Sequence, residues 1–149
     1  MAVLKSMLQP IAAVSRWRRE ASLRRLPCPE RFHRMLDRER LRSAHSGEEF
    51  SLLSFEVRDG ETGRAALAHL ARLVQRRLRI TDEAGWLDSR HLGVILPNTP
   101  GWGAWTVVDR LQSSLPGQIS APECTVYVYP SYWPWAGEGE PRQTGQAPR

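Results

Sequence analysis

Few residues in this chain have the types and spacing for chemistry. Asp88, Ser89, Arg90 and His91 form one polar quartet, flanked by apolar runs. Acid, hydroxyl, guanidinium and imidazole together can move protons or hold an anion. The same four residues also read as a solvated turn between two strands, and that plainer reading weighs more. His33, His45 and His69 are scattered, and no nucleophile motif joins them to a serine or an acid. Cys28 and Cys124 have neither metal-ligand spacing nor a histidine pair, so they read as small semi-buried residues. No P-loop and no G-x-G-x-x-G occurs. Arginine is the abundant chemical group. Residues 16–42 carry ten arginines and residues 72–79 four more, within a net charge of +5. Such surfaces attract phosphates. No aromatic stacking pattern or DNA-reading motif accompanies them, so a solvated face is favoured over a nucleic-acid patch.

The elements that would position these groups follow from periodicity. Leu4, Met7, Leu8, Ile11 and Val14 make an amphipathic helix over residues 3–25, interrupted by Pro10. Its apolar stripe needs a partner, either a protein helix or a second copy first, and a membrane surface second. Pro27 and Pro29 mark a turn, and Pro29 suits the first turn of a helix running to about Ala44, where Ser46-Gly47 stops it. FSLLSFEV (50–57) is a near-continuously apolar strand, as expected where a sheet is covered by helices. Residues 62–79 form the clearest helix, with Ala66, Leu67, Leu70, Ala71, Val74 and Leu78 in one stripe. Residues 84–97 make a hairpin around the polar quartet. A helix follows Pro100-Gly101 and ends at Pro116-Gly117, and Thr125 to Tyr129 is the last strand. The order predicts a βαββαβ α+β sandwich, with helices on one face of a sheet containing antiparallel strands.

Three regions follow: a basic amphipathic helix over 1–25, a domain over 26–132, and a Pro/Gly/Glu-rich disordered tail over 133–149. No run of about 18 apolar residues would span a membrane. The start lacks a clean cleavage site, which makes the cytoplasm the expected compartment.

Five strings in order resemble a GGDEF domain, the diguanylate cyclase fold, over about residues 21–130. LRRLPCPERF (23–32) is similar to the family's D-x-L-T-G-L-P-N-R-x-x-F entry, through Leu23, Leu26, Pro27 and Phe32. FSLLSFEV stands where the family's first strand ends in D-x-D. WLDSRHLGVILPNT (86–99) stands where the family has R-x-G-G-D-E-F-x-x-x-L-P-x-T, and VVDRL (107–111) and CTVYVY follow in the expected places.

The resemblance implies GTP chemistry on Mg²⁺ held by two carboxylates, the first Asp of D-x-D and the third residue of GGDEF. Here those positions are Glu56, followed two residues on by Arg58, and Arg90. The GGDEF string as a whole reads Asp88, Ser89, Arg90, His91, Leu92. A fixed cation at the metal position repels Mg²⁺. The family's nucleotide-gripping loop is shortened to RDGETGR (58–64), and the A-D-x-A-L-Y-x-A-K helix is missing. The expectation is therefore a shortened, non-enzymatic GGDEF-like domain from a bacterial signalling system, with no cofactor and no metal.

The resemblance also implies an inhibitory-type site for cyclic di-GMP, an R-x-x-D motif helped by a helix arginine. Arg79 and Asp82 fit the motif, and Arg110 fits the third position. Guanidinium forks grip phosphates bidentately and a carboxylate accepts from guanine N–H groups. Against this stands a structural role for Asp82 and chance matches among many arginines. Three functions follow: a regulatory or interaction domain for a protein partner, helped by Tyr127, Tyr129, Tyr132, Trp133 and Trp135; a cyclic di-GMP receptor; and a basic nucleic-acid module. A residual enzyme, a nucleotide hydrolase or cyclase with rearranged metal ligands, is a further reading.

Overall fold

The structure is a computed structural model that describes residues 25–131 and 133. The amphipathic segment ahead of residue 25 and the tail from 134 onward lie outside the described residues. In chain order the elements are α1 (Pro29–Ser46), β1 (Phe50–Glu56), α2 (Gly60–Arg77), β2 (Glu83–Trp86), β3 (His91–Leu96), α3 (Gly101–Ser113) and β4 (Cys124–Tyr129).

Local chemistry accounts for the boundaries. Pro29 opens α1 because its missing N–H is unneeded in a first turn. Gly47 closes it with φ 75°, its N–H donating to the Ser43 carbonyl at 2.9 Å. A left-handed residue here favours glycine. α2 begins earlier than its apolar stripe suggests, at Gly60, whose φ of 91° turns the chain sharply off β1.

The four strands form one antiparallel sheet in the order β2-β3-β1-β4. β1 and β2 run parallel with β3 between them, the split βαβ arrangement. β1 lies at the centre, and six of its seven residues are buried. Its odd residues Leu53 and Phe55 face α2 and α3 together with their partners Val94 and Leu92. Its even residues Phe50 and Leu52 face α1, packing with Phe32, Leu36 and Ile95.

The helices therefore occupy both faces, not the single face expected from the element order. A strand apolar on both sides needs cover on both sides. Two glycines set the depth of α1. Gly85 and Gly93 pair across the hairpin, and the buried Phe32 ring lies on them. A Cβ on either glycine would come within 2.6 or 2.5 Å of that ring.

A second correction concerns Trp133. The sequence places it at the head of a disordered tail, yet it is buried at 8% exposure. Its ring stands edge-on to Phe50 at 5.2 Å and to Tyr129 at 5.4 Å. The large apolar area of an indole draws the chain back onto the sheet after the Tyr129-Pro130 bond.

Candidate functional site

Two places concentrate the residues singled out by the sequence. The first is the end of β1 together with the tip of the β2–β3 hairpin. Glu56, the last residue of β1, sits opposite His91, and the Val57 N–H donates to the Arg90 carbonyl at 2.7 Å. The antiparallel register thus brings Glu56, Arg58, Asp88, Ser89, Arg90 and His91 to one end of the sheet. Leu92 is different. It is fully buried opposite Phe55 and belongs to the core.

Within the tip, Asp88 organises the turn. Its carboxylate accepts the Arg90 backbone N–H at 2.7 Å and the His91 Nδ1–H at 2.8 Å. Partial burial pushes the Asp88 carboxyl up, but these donors outweigh it and hold the group below the usual carboxylate range. The Asp88–His91 pair orients the imidazole at the tip.

The two arginines at this end are both engaged with acids. Arg58 Nη2 lies 3.1 Å from Glu123, and Arg90 Nη2 lies 3.5 Å from Asp59. Neither Glu123 nor Asp59 stands out as a partner in the sequence, and the Arg58–Glu123 pair spans 65 positions and depends on β4 lying beside β1. All four side chains are exposed, so each pair contributes about 0–1 kcal/mol and opens readily.

A cavity of about 220 Å³ lies beside them, lined by Phe55, Glu56, Arg58, Thr62, Ala66 and Pro122 among others. The wall is tight at Gly63, where a Cβ would fall 2.0 Å from the Arg58 carbonyl oxygen. Among the described residues no three His, Cys, Asp or Glu side chains converge as a metal ion would need.

The second place is the turn after α2. Arg79 and Asp82 are brought together there. The Asp82 carboxylate accepts the Arg79 backbone N–H at 2.9 Å and its Nη2 at 3.0 Å. In return the Asp82 N–H donates to the Arg79 carbonyl at 3.0 Å. The Asp82 side chain is only 3% exposed, while Arg79 is 59% exposed. Arg79 Nη2 also donates to Thr99 Oγ1 at 3.0 Å and to the Pro97 carbonyl at 3.3 Å. The motif thus clasps the end of α2 to the start of α3, a role visible only once Thr99 is placed.

Arg110 stands apart. The helix rise puts it about 14 Å along α3 from Gly101, while the Arg79 guanidinium rests just ahead of that helix. A cavity of about 440 Å³ opens beside the clasp, lined by Arg25, Leu26, Leu78, Arg79, Ile80 and Asp82 among others.

With this geometry in hand, the fold can be named: it is that of GGDEF diguanylate cyclase domains. A DGC protein from Thermotoga maritima superposes with a TM-score of 0.62, covering 74% of this chain and 86% of that one at 15% identity. The GGDEF domain of DgcB from Caulobacter crescentus, solved in complex with c-di-GMP, gives 0.55, covering 69% and 71% at 14% identity. The diguanylate cyclase SiaD from Pseudomonas aeruginosa, solved in complex with its activator SiaC, gives 0.56, covering 85% and 56% at 21% identity. No protein-family model and no curated protein matches the sequence. Among the described residues no helix is long and apolar enough to cross a membrane.

Proposed function

We propose that this chain is a non-catalytic GGDEF-fold domain that works in cyclic di-GMP signalling by engaging a protein partner. The observation that carries the reading is the pair of guanidinium groups at the end of β1 and the hairpin tip. Phosphoryl chemistry on GTP calls for two carboxylates sharing Mg²⁺. Arg90 holds the place that the resemblance gives to one of them, and Arg58 stands two residues beyond Glu56. A guanidinium in the place of the second carboxylate makes this end of the sheet a poor seat for a divalent ion.

The test is incubation of the full chain with GTP and Mg²⁺ or Mn²⁺, followed by chromatography of the nucleotides. The expected result is no product above a protein-free control. Product formation abolished by Glu56→Gln would sink the reading. The partner side of the proposal rests on the apolar stripe within residues 1–25, a basic amphipathic segment proposed as a docking helix, and on SiaD, a protein of this fold, binding a protein activator. Deleting residues 1–25 should release a co-purifying partner.

A second reading makes the chain a cyclic di-GMP receptor. It is favoured by the cavity beside Arg79 and Asp82, where an exposed guanidinium can turn to a phosphate while Arg25 supplies a second one. Isothermal titration with cyclic di-GMP decides it. Binding lost in Arg79→Ala supports the receptor, and no heat at high ligand concentration leaves the interaction domain alone.

A further inference from the structure

The sheet has two edges, and they are treated differently. β2 has four residues, carries Glu83 within ion-pair distance of Arg38 at 3.6 Å, and is partly covered. Its outward Trp86 N–H donates to the Pro27 carbonyl at 2.9 Å. β4 has six residues, CTVYVY, with no charge and no proline inside it. Natural edge strands use charges, prolines, short length or cover to prevent pairing with another chain. Among the described residues β4 shows none of these.

The phase of its ladder is fixed. The Glu56 N–H donates to the Glu123 carbonyl at 2.9 Å. Opposed residues in antiparallel strands alternate between bonded and unbonded pairs. Thr125, Tyr127 and Tyr129 therefore turn their backbone groups to β1, opposite Ser54, Leu52 and Phe50. Cys124, Val126 and Val128 turn theirs outward.

We propose that β4 docks a second copy of this chain, the two strands pairing antiparallel about Val126 so that the two sheets become one. This register is self-complementary. It sets Val126 against Val126 of the second copy and Cys124 against its Val128, so every outward backbone group between 124 and 128 meets a partner. The face toward α1 also matches. Glu123, 72% exposed, falls opposite Tyr129 of the second copy, over whose ring the Arg40 guanidinium lies at 5.6 Å. Two-fold symmetry repeats that opposition of charge at the other end. An exposed apolar side chain also stands in the first turn of α3, which approaches β4. Trp102 is 70% exposed, and its neighbour Gly101 has its Cβ position 3.3 Å from Val128 Cγ2.

Sedimentation velocity on the full chain, from low to high micromolar concentration, tests this. A monomer–dimer equilibrium is expected, and Val126→Pro should leave a folded monomer. Proline there removes an outward N–H that β1 does not use, and an edge strand tolerates it. Should that variant lose its circular dichroism, Val126→Cys in a Cys28→Ser, Cys124→Ser background carries the test. Residue 126 faces itself at about 5.5 Å between Cα atoms, within disulfide reach, so oxidation should link the copies. Glu123→Cys in the same background should not link. A wild-type monomer at all concentrations, a dimer that Val126→Pro leaves intact, or equal linking through positions 123 and 126 overturns the proposal.

Discussion

The hairpin tip and the turn after α2 are built from the same materials, arginine and aspartate, yet they are different devices. At the tip the arginines reach outward. Arg58 and Arg90 meet Glu123 and Asp59 in open solvent, and the organising acid, Asp88, is itself 55% exposed. At the turn the acid is buried and the arginine spans two elements, so removing the acid strands donors that the fold has already committed. Arginine content alone therefore says little about a site. What matters is whether the paired carboxylate is wet or dry, because the strength of a charge-assisted hydrogen bond grows as water leaves.

The largest effect is expected at the turn. Asp82→Ala should lower stability by about 1–3 kcal/mol, since it deletes a buried acceptor of several N–H bonds. Denaturant melts check the value, and a change inside error would mean the clasp is ornamental. The next effect is at the tip. Asp88→Ala should cost about 0.5–1 kcal/mol, because it removes turn bonds that water partly replaces.

The same residue predicts a pH dependence. The Asp88 carboxyl is held below its ordinary value of 3.8 in the folded state. Its contribution is therefore present above the unfolded value and is lost as pH falls through the folded one. A carboxyl titration followed by nuclear magnetic resonance should place Asp88 below its ordinary value. A midpoint at or above the ordinary value would mean that burial, not the Arg90 and His91 donors, controls the group. The smallest effects belong to Arg58→Ala and Arg90→Ala, each expected within about 0.5 kcal/mol of wild type. A larger loss in either would show that the tip is drier than its exposure indicates.

Much of the fold is legible in the sequence. The stripe from Ala66 to Leu78 repeats at the helical period, and FSLLSF is apolar on both sides, so local pattern alone defines α2 and β1. The candidate site was legible only in part. Glu56, Arg58 and the quartet from Asp88 to His91 stood out as residue types, and Arg79 with Asp82 as a spacing. Their partners did not, because Glu123, Thr99 and Pro97 are ordinary residues until the register is known.

Local sequence is enough to define which segments are helix or strand and where the charges lie, since both depend on neighbours a few positions away. Tertiary contacts set α1 on the second face, Trp133 in the core and Arg79 as a clasp, and among the described residues they leave the outer edge of β4 without cover. Each depends on which distant segments meet. Burial then sets which charges are shielded from water and which backbone groups remain unpaired.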